Sequence, residues 1–130
     1  MSAMKTFLCA AAALCLLGLA PSASAAITGA ELLQRCSASE KSLDSGEKLS
    51  ANEALDAMWC MGYLSGLLDG FSINDYSVAG ARVMCPPEDG LTRTQALRIV
   101  TKWLREHPEA QQKNGRRDAL LALSAAYPCK

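Results

Sequence analysis

The stretch "CMGYLSGLLDGF", residues 60–71, sets Gly62, Gly66 and Gly70 four apart inside an apolar run. Residues four apart lie on one side of a helix. Glycine in a helix interior costs about 0.5–1 kcal/mol relative to alanine, so the bare side needs a reason. On a helical wheel, Ala57, Cys60, Met61, Leu64, Leu67, Leu68 and Phe71 form one apolar face. Leu55, Trp59 and the three glycines form a second face, roughly opposite. The pattern predicts a central helix buried on two sides, with its glycine side closely packed against another backbone. Ala119, Ala122 and Ala126 are small and helically spaced, which makes the last helix a natural mate. Spacing does not distinguish that mate from a second copy of the chain. Small-x-x-x-small patterns also join membrane helices, but Asp69 and the shortness of the run exclude a span.

Working outward, residues 26–130 hold 14 Ala and 14 Leu against three Val and three Ile, which favours helix over strand. Three helix starts are written as capping boxes: Thr28-x-x-Glu31, Ser50-x-x-Glu53 and Thr92-x-x-Gln95. In each, the hydroxyl accepts from the N3 amide while the N3 side chain reaches back. They predict helices near 29–40, 51–71 and 93–106, the third stopped by His107-Pro108. A fourth is expected over 116–127, ending at Pro128-Cys129. The Ser-rich tract 37–50 and "QQKNGRR", 111–117, read as loops. The fold class is all-α, a small disulfide-stapled bundle of four to five helices.

Residues 1–25 carry Lys5, an apolar run from Phe7 to Leu19, Pro21, and small residues at Ala23 and Ala25. That is the layout of a secretory signal peptide cleaved after Ala25. The run of about 13 residues falls short of the roughly 20 that a spanning helix needs. A single domain, 26–130, is then expected in the periplasm. Without Lys5, twelve basic and thirteen acidic residues remain, a formal charge of −1. No basic excess points to nucleic acid or to an anionic membrane. Four cysteines remain: Cys36, Cys60, Cys85 and Cys129. An even count in an exported small domain implies two disulfides. If the first two helices form an antiparallel hairpin, Cys36 comes level with Cys60. The last two helices, paired likewise, bring Cys129 back to Cys85. With no Cys-x-x-Cys and one histidine, His107, no metal or other cofactor is expected.

At this point the motifs become recognisable. "CMGYLSGLLD" (60–69), "CPP" (85–87) followed by "TRTQ" (92–95), "WLREHPE" (103–109) and "ALLALSAAYPC" (119–129) occur in that order. Together they resemble the Rap/Tai family of periplasmic immunity proteins over nearly all of the chain from residue 29 to Cys129. The resemblance implies an all-helical, disulfide-bonded, commonly dimeric protein that is not an enzyme. It implies a partner as well: a cognate effector of type VI secretion, typically a cell-wall amidase, bound so that its active site is blocked. The sequence departs from the family pattern at "QQKNGRR", where relatives are more apolar.

Two places are candidate effector contacts. One is the segment after the glycine helix, 72–83, with Asn74, Asp75 and Tyr76. The other is the stripe Arg98, Lys102 and Arg105, opposite Ala96, Val100, Trp103 and Leu104 on the third helix. Loops on a stapled scaffold commonly carry binding, while a charged helix stripe is more often a solvated outer face. Asp69 and His107 read as structural or exposed polar residues. An enzyme would need a nucleophile–base pair or a metal cluster, and neither is evident. A periplasmic stress or chaperone-like protein is the alternative, although two crosslinks and one histidine suit an acid-triggered unfolder poorly.

Overall fold

The computed structural model of the protein describes residues 26–77 and 82–130, without the side chains of 75–77. The expected leader, 1–25, lies outside the described residues. Four helices follow in order: α1 Gly29–Ser45, α2 Ala51–Ser77, α3 Arg93–Glu106 and α4 Gly115–Ala126. No strand occurs among the described residues; a single isolated bridge joins Thr28 and Asn114.

All three capping boxes form. Thr28 and Thr92 cap α1 and α3 reciprocally with Glu31 and Gln95. At the start of α2, the Glu53 amide donates to Ser50 Oγ at 3.3 Å, and Glu53 Oε2 accepts from the Ser50 amide at 2.8 Å. That hydrogen bonding and the neighbouring Lys41 ammonium hold the Glu53 carboxyl down at about 2.

Two helices run past their expected ends. α1 continues through the Ser-rich tract to Ser45, so the expected loop 37–50 shrinks to 46–50. The serines are accommodated by back-bonding: Ser37 Oγ donates to Leu33 O and Ser45 Oγ to Lys41 O, each at 2.7 Å. The helix stops only at Gly46, whose φ of 63° is left-handed and whose amide donates to Ser42 O. α2 continues to Ser77, so 72–77 is helix and not loop. Neither glycine nor proline interrupts residues 72–77. At 27 residues, α2 is about 40 Å long.

The tract 111–117 is likewise a structured tie. Asn114 caps α4, its side chain accepting from the amides of Arg116 and Arg117. The Gly115 amide donates to Ile27 O at 2.8 Å, and those of Gly29 and Ala30 donate to Lys113 O and Gln111 O. A Cβ on Gly115 would stand 2.8 Å from Thr28 O, so only glycine lets the two segments approach this closely.

The expectation of α2 as a helix buried on two sides is not met. α1 and α3 each pack on all three other helices, while α2 packs on α1 and α3 but not on α4. The core is built from Leu32 and Cys36 of α1, Cys60 and Leu64 of α2, Leu97, Val100 and Leu104 of α3, and Ala119, Ala122 and Leu123 of α4. The physical reason is area. Three glycines contribute almost no apolar surface to bury, so the second face of α2 has little driving force inward.

Both expected disulfides are present, Cys36–Cys60 and Cys85–Cys129. The first pins α1 to α2 inside the core. The second holds the irregular segment before α3 to the chain end, reinforced by the Cys85 amide donating to Tyr127 O at 2.9 Å and Ser124 Oγ to Val83 O at 2.8 Å. In the loop-entropy picture, closures of these lengths stabilise by roughly 3.5 and 4 kcal/mol.

Candidate binding surfaces

The glycine face is open. Gly62, Gly66 and Gly70 are exposed, and beyond the adjoining backbone of α2 and their chain neighbours no heavy atom of the described residues lies within 4 Å of a Cβ built on any of them. Ala119 and Ala122, the expected mates within the chain, are buried elsewhere in the core. Of the two mates left open by spacing, α4 does not meet the glycines among the described residues. The same side of α2 exposes Leu55, Met58 and Ile73 at 64%, 72% and 65%, giving a flat apolar strip broken by the glycines. Trp59 borders it, stacked on Tyr63 with centroids 5.0 Å apart and covered by Arg35, whose guanidinium lies 4.8 Å from the Trp59 ring. Asp69, beside the strip, is exposed.

The basic stripe on α3 is engaged within the chain. Arg98 donates to Asp44 Oδ1 at 2.6 Å, and Arg105 pairs with Glu40. Glu40 is only 13% exposed at its side chain and also accepts from the Thr101 hydroxyl at 2.6 Å. These contacts tie α3 to α1. Each raises the guanidinium pKa through the hydrogen bond to its carboxylate. Lys102 faces Glu106 at 3.9 Å along the same helix. Asn74 lies on the last turns of α2, as do Asp75 and Tyr76, of which only the backbone is described. His107 caps the C-terminus of α3, its ring stacked on Trp103 at 4.1 Å and its Nδ1 2.8 Å from Trp103 O.

Two features escape a reading of the sequence. Between α2 and the start of α4 runs a depression of about 350 Å³ whose floor is Leu67, Phe71 and Leu120 and whose rim is Asn114, Arg116 and Arg117. A second depression, of about 320 Å³, shares Leu67 and Phe71 and reaches Gly66 and Gly70. Both arginines are exposed, and no carboxylate of the described residues pairs with either. The available signal was the "GRRD" that follows Asn114: two cations in a first helical turn, where the dipole disfavours them. The other feature is Asp118, buried at 1% exposure with Oδ2 lacking a partner. Burial pushes its carboxyl up, while Arg117 and Lys113 oppose the shift. Its polarity in an otherwise apolar α4 face gave no warning of burial.

Among the described residues no helix is long and apolar enough to cross a membrane, and no group of three or more His, Cys, Asp or Glu could hold a metal. The geometry is that of a small stapled helical domain that presents open surfaces. Residues 28–129 match the family profile of the Rap1a immunity proteins, and the chain belongs to that family. No curated protein and no solved structure matches it.

Proposed function

We propose that this immunity protein acts in the periplasm, where it binds and inhibits a cognate secreted antibacterial effector, a type VI cell-wall amidase, and so protects its producer. The family match over 28–129 carries the reading. The two disulfides support the compartment, since they persist in oxidising environments, and the leader over 1–25 supplies the route. Inhibition is by stoichiometric binding and not by turnover.

Of the two contact sets expected from the sequence, we favour Asn74, Asp75 and Tyr76 on the last turns of α2. Arg98 and Arg105 already serve the α1–α3 junction, so using them for an effector would cost internal contacts. We also read the glycine side of α2 as the seat of a homodimer, because bare helix faces let backbones approach closely.

The experiment is co-expression with a periplasm-directed cell-wall amidase effector of the same producer. Growth should be restored at about one copy per effector, and the two proteins should co-purify. A copy lacking residues 1–25 should not protect. Protection at far below one copy per effector would refute inhibition by binding. For the homodimer, sedimentation of the native protein against Gly66→Leu should show association lost in the variant; a monomeric native protein at high concentration refutes it.

A further inference from the structure

We propose that the trough between α2 and the start of α4 is a docking site for an acidic polypeptide segment, one that lays an apolar side chain on Leu67, Phe71 and Leu120 and places carboxylates on Arg116 and Arg117. This rests on the immunity reading and names the chemistry of the effector segment that the surface takes.

Charge is the first feature that marks the trough. Arg116 and Arg117 are adjacent, exposed, and without a carboxylate partner among the described residues. They sit in the first turn of α4, where the helix dipole favours acids and disfavours cations. Arg117 offsets part of the burden of the buried Asp118, and Arg116 acts on the Tyr63 hydroxyl, which is not a carboxylate and does not neutralise it. The fold thus bears a cost there that its own packing does not explain. The basic residues of α3 form a contrast, because Arg98 and Arg105 are neutralised by Asp44 and Glu40.

The second element is shape. The arginines flank an apolar floor of about 350 Å³, and the depression beside it extends the same floor towards Gly66 and Gly70. Apolar floor plus cationic rim is the complement of a segment that alternates a bulky apolar residue with acids. Guanidinium groups match carboxylates in a two-pronged geometry. A nucleic acid would call for a broad basic surface, and this chain is close to neutral overall.

The test measures binding of that amidase toxin to the native protein and to four variants. Arg116→Glu/Arg117→Glu should raise Kd at least 100-fold, lower the association rate and flatten the salt dependence. Its melting temperature should change little, because the gain of acids in that helix turn opposes the loss of Arg117 beside the buried Asp118. Arg116→Lys/Arg117→Lys keeps the charge but loses the two-pronged fit, and its Kd should fall between those of the native protein and the double Glu variant. Leu120→Glu, which charges the floor, should lose binding, whereas Lys102→Glu on α3 should stay within threefold. A native protein that fails to bind the toxin refutes the immunity reading, and this proposal with it. If the native protein binds and the double Glu variant stays within threefold, the docking proposal is overturned and the immunity reading stands. A double Glu variant that changes oligomeric state with unchanged toxin affinity overturns it too, assigning the trough to a second copy.

Discussion

Replacing Gly62 and Gly66 with alanine should stabilise the folded monomer. Both positions lie in mid-α2 with helical backbone, and beyond the adjoining backbone of α2 and their chain neighbours no described heavy atom is within 4 Å of either Cβ position. The new methyl groups meet solvent, so no overpacking term enters. What remains is the helix-propensity difference, about 0.5–1 kcal/mol per site, arising mainly from the backbone freedom glycine keeps in the unfolded chain. The sites are one turn apart with no shared partner, so the double variant should gain about 1–2 kcal/mol. For a domain of this size that is a rise of roughly 4–16 °C in Tm. With a guanidinium m-value of about 3 kcal/mol/M, the midpoint should move up by about 0.3–0.7 M. The assay is equilibrium denaturation of the oxidised, leaderless protein at concentrations low enough to keep it monomeric. A fall in the midpoint at that dilution would show that another part of the chain covers the glycine face, and the account of α2 as a one-sided helix would fail. At high concentration the same variant separates a further question. If the face seats a homodimer, the added methyl groups should weaken association while the monomer gains stability.

Other perturbations probe the junctions. Glu40→Ala removes the carboxylate shared by Arg105 and Thr101 and should cost about 1–2 kcal/mol by denaturation. An exposed pair such as Lys102–Glu106 should cost well under 1 kcal/mol when broken. Asn114→Ala removes the acceptor for the Arg116 and Arg117 amides; a loss of about 1 kcal/mol is expected, with faster hydrogen exchange confined to the first turn of α4. Asp118 gives a pH signature. Its folded carboxyl titrates above the ordinary 3.8, so between those two values the folded state binds more protons than the unfolded one. Its contribution is therefore most favourable below about pH 3.8 and declines as pH rises through the folded value. Asp118→Asn should remove that decline, which midpoints measured from pH 3 to 8 will show as a larger advantage over the native protein at pH 7 than at pH 3.

Much of the fold was legible because it is encoded locally. A capping box needs four residues, and all three were readable as such. The cysteine pairing followed from helix order and antiparallel packing, both short-range consequences of loop length. Element ends were harder. Serine weakens a helix on average, so the tract 37–50 reads as loop, yet Ser37 and Ser45 return their hydroxyls to carbonyls one turn back and α1 persists to Gly46. Burial was harder still. The wheel shows that Leu55, Trp59 and the glycines share a face; it does not show whether that face has enough area to draw a partner. Leu55 at 64% exposure shows that it does not among the described residues.

The candidate surfaces illustrate the same limit through charge. Arg98, Lys102 and Arg105 look like a contact stripe because helical periodicity reveals only neighbours on one helix. The carboxylate partners of the two arginines lie on α1, far away in sequence: Asp44 is 54 residues from Arg98, and Glu40 is 65 from Arg105. Only the fold brings them together and cancels the stripe. Arg116 and Arg117 are the converse. They fall in a polar run that reads as a loop, where cations carry no message, and they acquire one when Asn114 starts a helix immediately before them. From then on they stand at the wrong end of a dipole, unpaired, on the rim of an apolar trough. On a domain of nearly balanced charge, a cation without an internal partner says more about recognition than a row of cations with one.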